Sequence, residues 1–410
     1  MKSRLLSFGL LGAVVLTFWG EAVAAPSYKI VHAFGSGEDG AGLWGSVILD
    51  SAGNVYGTTS GGGQYGYGTV FELVPQGKGQ WGESILHSFN PDSQDGYTSD
   101  AGLTWDSSGN LFGTTCCGGT FDSGTVFELM RGSSGWTESV IYSLGTNPKD
   151  GGYPYAGVAV DAKGDLYGTT VHGGTVFEVS PDGGGWTETI THHFGNPDDG
   201  AGPYAGLILD AAGNLHGTTE GGGSYGHGTV YELHPTQDGV WQERLYSFCR
   251  AGPPCSDGER PGLGSLAGDG ASTMYGTTAF GGPNTCGDYS CGTIFRITQM
   301  PNGRMKESVL YYFRNGATGF SPGAGVVRDQ VGNLYGTTIA GGDENCGCGV
   351  VYKLSPRANG KWTYSVLHTF TGPDGAQPDA NLTLDGKGKI YGTAAIGGPH
   401  GGGVVFEIAP

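Results

Sequence analysis

One short phrase recurs seven times along this chain. It begins with Tyr-Gly-Thr-Thr or a close variant and continues, after a glycine-rich stretch, with Gly-Thr-Val-Phe or a close variant. Successive copies are 49 to 60 residues apart, a period typical of β-propeller blades and too long for a solenoid coil. The central glycines of the seven copies are Gly57, Gly113, Gly168, Gly217, Gly276, Gly336 and Gly392.

Each repeat contains four segments with strand character. In the second repeat the predicted strands cover residues 101–105, 110–115, 124–129 and 136–144, and the last has a period-2 pattern. An Asp-x-x-Gly-Asn sequence between the first two segments predicts a hairpin turn. The glycine inside Tyr-Gly-Thr-Thr predicts close approach by another backbone, and its threonines and tyrosines predict packing between blades.

The last repeat ends after its third strand, and a fourth-strand sequence stands at the other end of the chain, from Tyr28 to Phe34. Donating this segment to the last blade would leave no unpaired edge. The sequence therefore predicts an all-β, seven-bladed β-propeller. Each blade has four antiparallel strands, and the N-terminal strand completes the last blade.

Residues 1–24 have the order of a secretory signal: basic residues, an apolar run, then Ala-Val-Ala. We expect a single domain over residues 25–410, secreted or periplasmic, monomeric and without a membrane span. The formal net charge of -18 argues against a nucleic-acid partner, since phosphate binding needs clustered Lys and Arg.

The eight cysteines occur in close pairs, which in a secreted chain favours disulfides over free thiols. Zinc is the alternative, but no Cys-x2-Cys pair occurs, and we expect no metal. The predicted bridges are Cys249 with Cys255 and Cys286 with Cys291. The connectivity of the other four disulfide candidates stays open, because an adjacent or one-apart bridge would be strained: Cys116, Cys117, Cys346 and Cys348.

The repeat resembles that of the Gloeobacter and Verrucomicrobia tandem-repeat proteins, whose units carry Asn-Leu-Tyr-Gly-Thr-Thr, Gly-Gly-Gly and Gly-Thr-Val-Phe. Residues 54–63 with 68–71, 214–223 with 228–231, and 333–342 show it best. The resemblance implies an extracellular protein and carries over no catalytic residue. More loosely, Asp-x-x-Gly-Asn-Leu-Tyr is similar to the blade motif of propeller lyases and lactonases.

Positions that break a seven-fold repeat are where a functional site is expected. Fourth-strand histidines and tryptophans, and an Asp-Gly in the following loop, recur and are interpreted as packing and turn residues. The position just before each innermost strand varies, and in a propeller it faces the mouth of the central channel. It predicts ligand-binding Trp44, Tyr155 and Tyr204, with Asp100 and Asp379 as candidate catalytic residues.

The loop before the fifth inner strand is the longest of its kind and adds Glu259 and Arg260 as further candidate ligand contacts. Three functions remain open. The first is a binding or scaffold module for extracellular glycan or cell-surface material. The second is an enzyme acting on a polysaccharide or lactone, with Asp100 and Asp379 as acid and base. The third is a structural envelope component. No cofactor is expected.

Overall fold

The computed structural model describes residues 25–410, apart from Ser36, Ser134, Pro148, Pro197 and Leu263, and without the Ser93 side chain. The predicted signal peptide lies outside the described residues. Within them the chain forms seven four-stranded antiparallel sheets, arranged as the blades of a β-propeller. The fold prediction is confirmed.

In every blade the strands are numbered from the channel outwards. The inner strands are short: Ile48–Leu49, Thr104–Trp105, Ala159–Val160, Ile208–Leu209, Ala267–Gly268, Val326–Arg328 and Thr383–Leu384. The second strands carry Tyr-Gly-Thr-Thr and are buried throughout or nearly so: Val55–Thr59, Leu111–Thr115, Leu166–Thr170, Leu215–Thr219, Thr273–Thr278, Leu334–Thr338 and Ile390–Ala394.

The third strands carry Gly-Thr-Val-Phe: Thr69–Gly77, Thr125–Gly132, Thr175–Asp182, Thr229–Pro235, Thr293–Gln299, Val350–Pro356 and Val404–Ala409. The outer strands are Gln80–Ser88, Gly135–Ser143, Gly185–His193, Trp241–Ser247, Met305–Tyr312, Trp362–Thr369 and Ser27–Ala33. Three two-stranded ribbons lie in the loops: Gly96–Tyr97 with Cys117–Gly118, Gly200–Ala201 with Gly221–Gly222, and Thr285–Cys286 with Tyr289–Ser290. Short 3-10 turns cover Gly37–Asp39 and Pro91–Ser93.

The N-terminal strand closes the ring as predicted. Ser27–Ala33 pairs antiparallel with Val404–Ala409, so that Tyr28 lies opposite Ile408. Between neighbouring blades lie clusters of buried Val, Leu, Ile and Phe, and these form the core. No helix in the described part of the chain is long and apolar enough to cross a membrane.

The glycine of Tyr-Gly-Thr-Thr makes room for a ring and not for a backbone, which corrects the sequence interpretation. Gly57 lies directly opposite Phe71 in the same blade, and a Cβ at Gly57 would sit 2.6 Å from Phe71 Cζ. The same relation holds in the other six blades. The aromatic ring of the third strand thus folds over the glycine of the second.

The two threonines have separate structural roles. In five blades the first donates its hydroxyl hydrogen to a backbone oxygen of the next blade, and the distance from Thr58 Oγ1 to the Ala101 oxygen is 2.7 Å. The second lies against the threonine of the third strand, with Thr59 Oγ1 2.9 Å from Thr69 Oγ1. The first threonine therefore joins neighbouring blades, as predicted, whereas the second contacts the third strand of its own blade.

Most outer strands contain a β-bulge, which the period-2 interpretation missed. In blade 2 Val140 lies opposite Phe127 but Tyr142 lies opposite Val126, leaving Ile141 as the extra residue. The bulge turns Tyr142 to the other face of the blade from Glu138. Blade 4 has one residue fewer between Trp241 and Tyr246 and pairs there without a bulge.

Both predicted disulfides, Cys249–Cys255 and Cys286–Cys291, are formed, and Cys346 pairs with Cys348. Cys116 and Cys117 are free thiols, so the expectation that all eight cysteines form disulfides is wrong in this structure. Adjacent α-carbons are closer together than an unstrained disulfide allows.

Candidate ligand site at the channel mouth

We call the variable position just before each innermost strand the mouth position. Hydrogen bonds from threonines of the repeat fix the backbone beside it. In five blades the first threonine of Tyr-Gly-Thr-Thr donates to the residue that directly follows a mouth position in the next blade, whereas Thr218 Oγ1 and Thr337 Oγ1 have no hydrogen-bond partner among the described residues. Thr114 Oγ1 donates to the Ala156 oxygen at 2.9 Å, beside Tyr155, and Thr393 Oγ1 donates to the Gly45 oxygen at 3.1 Å, beside Trp44. The side chains that vary between blades are therefore attached to backbone that these hydrogen bonds fix.

All five predicted mouth residues line one cavity. Asp379, Trp44, Asp100, Tyr155 and Tyr204 come from blades 7, 1, 2, 3 and 4 and surround a volume of about 180 Å³. Trp44 is 36% exposed and Tyr155 is 39% exposed, although both are large aromatic side chains. The rings of Tyr155 and Tyr204 are 5.7 Å apart and tilted by 35°.

Asp379 leans towards blade 6. A Cβ at Gly323, the mouth position of that blade, would sit 1.6 Å from Asp379 Oδ1, so the carboxyl group fills the space of the missing side chain. That oxygen is buried and has no hydrogen-bond partner among the described residues. It is a free acceptor beside the cavity.

Blades 5 and 6 are closer together at the channel than the other blades. A Cβ at Gly264 would sit 1.7 Å from the Gly325 nitrogen, and one at Gly325 would sit 2.0 Å from the Ser265 oxygen. Only glycine permits this approach. Most residues that line the cavity accordingly come from blades 7 and 1 to 4. Leu263, the mouth position of blade 5, is not among the described residues.

Burial raises the pKa of both mouth carboxyl groups. The pKa of Asp100 rises to about 6, and that of Asp379 also rises to about 6, because the ionised form loses water contact. Burial also raises the pKa of the Tyr155 hydroxyl. Both carboxyl groups are thus half-ionised at about pH 6, instead of near pH 4.

Glu259 and Arg260 lie outside this cavity. They line an adjoining groove with His227, Phe280 and Tyr289, and the groove shares Tyr204 with the mouth. His227 Nδ1 is 2.8 Å from Glu259 Oε2, and Arg260 Nη1 donates to Glu220 Oε1 at 3.2 Å. The guanidinium of Arg260 is therefore already paired with a carboxylate.

Sequence reasoning missed three polar residues that also line the cavity: Ser46, Ser265 and Asn381. They occupy the position two residues after each mouth residue, where four other blades have glycine. Asn381 Oδ1 accepts from the Gly325 nitrogen at 2.8 Å, which ties blade 7 to blade 6. The signal that could have found them is the change from glycine to a polar residue at this position in three of the seven blades.

A profile of the Gloeobacter/Verrucomicrobia repeat matches residues 21–175 and 284–410. The chain belongs to this repeat family. The match includes the blades that supply Trp44, Asp100, Tyr155 and Asp379. No curated protein is similar enough in sequence to match the chain.

Solved structures with the same architecture include several functions. The virginiamycin B lyase from Staphylococcus aureus has a TM-score of 0.55 and 14% identity, over 94% of this chain and 99% of that chain. YCF48 from Cyanidioschyzon merolae has a TM-score of 0.52 and 12% identity, over 94% and 99%. An ancestral GH74 enzyme has a TM-score of 0.56 and 12% identity, over 90% and 48%. At these identities the likeness shows the propeller fold alone.

Proposed function

We propose that this protein is a secreted binding module that recognises extracellular carbohydrate at the channel mouth. The observation that carries the proposal is the meeting of aromatic rings and carboxyl groups from five consecutive blades at one cavity. A sugar presents apolar ring faces and hydroxyl groups together. The aromatic rings can stack on the ring faces, and the carboxyl groups can bind the hydroxyl groups.

Asp379 supplies the main polar contact that we propose for a sugar ligand. Its buried Oδ1 has no partner among the described residues and can accept a hydrogen bond from a sugar hydroxyl. The aromatic part rests on Trp44 and Tyr155, whose partly exposed rings offer stacking surfaces. A small polar ligand that fills the cavity would satisfy both.

The size of the cavity favours a single sugar ring. Its volume of about 180 Å³ is below the 300–1,000 Å³ usual for drug-sized ligands. The mouth thus fits the terminal unit of a glycan chain, while the aromatic residues of the adjoining groove could contact the next unit. Three disulfides and the sequence of residues 1–24 support an extracytoplasmic location.

A glycan array tests this proposal. We expect wild type to bind a defined set of glycans and the Trp44→Ala, Tyr155→Ala double variant to lose that set. Tyr65→Ala is the matched control, because Tyr65 is 45% exposed but does not line the mouth cavity. Binding that survives in the double variant, or no binding by wild type, contradicts the proposal.

A carbohydrate-active enzyme is the second candidate, favoured by the two mouth carboxyl groups with pKa values near 6. A group of that pKa can exist as acid or base at neutral pH. The test is turnover of any glycan that binds, with Asp100→Asn and Asp379→Asn. Turnover abolished by either change while binding persists supports an enzyme, and binding without turnover supports the module.

A further inference from the structure

Three contacts between neighbouring blades bring a histidine and two carboxyl groups together. In each, one blade supplies an outer-strand histidine and the aspartate of the following loop, and the next blade supplies a glutamate. Their donor atoms lie within 4.8 Å of one another. We call these the His-Asp-Glu clusters: His32 with Asp39 and Glu83, His87 with Asp95 and Glu138, and His192 with Asp199 and Glu243.

The bulge of the outer strand makes these clusters possible. In the strand Gln80–Ser88 the pairing register shifts between the partners of Val70 and Phe71, so Glu83 and His87 face opposite neighbours. Glu83 reaches back to His32, and His87 reaches forward to Asp95. One strand can therefore serve two clusters.

The His192 cluster contains two potential metal-ligand atoms that make no hydrogen bond to the described residues. His192 Nε2 is 3.3 Å from Asp199 Oδ2 and 3.7 Å from Glu243 Oε1. The Nε2 and Oε1 atoms are buried without a hydrogen-bond partner among the described residues, and the Asp199 side chain is only 4% exposed. Buried polar atoms normally have a hydrogen-bond partner or bind an ion. We therefore expect His192 Nε2 and Glu243 Oε1 to share a partner that the described residues do not supply.

The charge of the clusters points to a cation. Each holds two carboxyl groups, and none of the described Lys or Arg side chains forms an ion pair with them. Glu83 and Glu138 also have one buried oxygen without a partner. Bringing two carboxylates out of water without a compensating charge is unfavourable.

We propose that the His-Asp-Glu clusters bind a divalent first-row transition cation, with Zn²⁺ as the probe. An imidazole nitrogen with two carboxylate oxygens suits such a cation better than Ca²⁺. Two ligand atoms at Zn²⁺ bond lengths lie about 3.4 Å apart in a tetrahedral site, close to the separations around His192 Nε2. A solvent-open cavity lined by His87 and Asp95 gives access to one cluster.

This proposal departs from the sequence expectation of no metal. The ligands of each cluster come from two repeats, so no local spacing signals them. The other inter-blade contacts lack part of the set. A tyrosine replaces the histidine in three of them, at Tyr142, Tyr246 and Tyr311, and Tyr28 replaces the glutamate beside His368.

The test is calorimetric titration of Zn²⁺ into the untagged, chelator-treated protein at about pH 7.5, with the expectation that bound Zn²⁺ displaces the protons of its ligands. We expect three sites per chain and a rise in Tm with Zn²⁺. His192→Tyr should leave two sites, and the triple change of His32, His87 and His192 to Tyr should leave none. Tyrosine is the residue that the chain itself uses at the equivalent Tyr142 and Tyr246, so the fold should tolerate it.

His400→Tyr is the control, since His400 is exposed and outside the clusters; it should keep three sites. Glu243→Gln, which preserves shape, should also lose one site and provides a second route if His192→Tyr does not fold. No saturable uptake of Zn²⁺ by folded wild type, or unchanged stoichiometry in the Glu243→Gln and triple variants, overturns the proposal.

Discussion

At the scale of single residues, the residues that recur in every repeat build the blades, and the residues that vary between repeats line the candidate site. Thr58 illustrates the first case, because its hydroxyl bonds to the oxygen of Ala101 in the next blade. Asp100 directly precedes that residue and faces the cavity. A structural position and a candidate functional position thus stand next to each other, and in five blades the threonine fixes the backbone beside a mouth position.

We expect Gly57→Ala to reduce the free energy of unfolding by about 1–3 kcal/mol, the usual cost of overpacking a core. The new Cβ would lie 2.6 Å from the Phe71 ring. Adding Phe71→Leu should recover part of that loss, as a double-mutant cycle in denaturant would show. Gly61→Ala is the control, because its nearest neighbour would be at 3.8 Å. An equal effect at both glycines contradicts the ring-contact explanation.

We expect Asp379→Asn to stabilise the fold at about pH 7.5 by roughly 1–3 kcal/mol, since each unit of pKa shift corresponds to about 1.4 kcal/mol. The pKa of Asp379 is raised from 3.8 to about 6, so its contribution to stability is full below pH 3.8 and is lost as pH rises through 6. The gain from Asn should therefore vanish near pH 4. Thermal unfolding at the two pH values measures it.

Asp198→Asn, at an exposed position, is the control and should change Tm little at either pH. A loss of stability in Asp379→Asn at the higher pH would mean that the ionised carboxylate has a partner that stabilises it.

At the scale of the strand, a single bulge decides which blade each outer-strand side chain faces. Glu138 contacts the preceding blade and Tyr142 the following one, although they are four residues apart and simple alternation would put them on one face. Blade 4 reaches the same arrangement by dropping one residue. The contacts between blades thus depend on a register shift, and their carboxyl groups are buried as a result.

We expect Glu307→Gln to increase stability relative to wild type as pH rises. Burial and Asp257 raise the pKa of Glu307 from 4.5 to about 8, while Arg296 lowers it; Tyr246 and Tyr312 also face this pair. The stabilisation by the protonated Glu307 is full below pH 4.5 and is lost as pH rises through 8, and glutamine does not ionise.

Thermal unfolding of both proteins between pH 5 and pH 8 checks this, with the difference in Tm expected to grow across that range. The control is Glu344→Gln, where the side chain is exposed and no such growth is expected. A constant difference for Glu307→Gln contradicts the raised pKa.

At the scale of the whole molecule, stability depends on closing the ring. Ser27–Ala33 covers the edge of Val404–Ala409, which would otherwise present unpaired backbone groups. Tyr28 also stacks on His368 of blade 6, with ring centroids 3.7 Å apart. The closing strand therefore joins blades 6 and 7 as well as completing a sheet.

We expect a chain beginning at residue 35 to unfold at a clearly lower temperature than the chain beginning at residue 25. A synthetic peptide of residues 25–34 added in trans should restore Tm in a concentration-dependent way, because it binds only the folded ring. A scrambled peptide of the same composition is the control. Equal Tm with and without the segment contradicts closure by this strand.

Much of this fold could be predicted from the sequence because it repeats. The copies of Tyr-Gly-Thr-Thr gave the number of blades, and the displaced fourth strand at Tyr28 gave the closure. The mouth residues from Trp44 to Asp379 could be found because they depart from the repeat. The bulge at Ile141 could not be seen, since an extra residue in a strand looks the same in sequence as continued alternation.

The sequence by itself determined the blade count, the strand order and the residues that vary at the channel, since these depend on local pattern and periodicity. The tertiary structure alone decided that Gly57 makes room for Phe71, that Asp379 fills the place of a side chain at Gly323, and that His192 meets Glu243 of the next blade. The physical reason is the same in each case. These contacts depend on how closely two strands or blades approach, and that distance is set by packing across the ring and not by neighbouring residues in the chain.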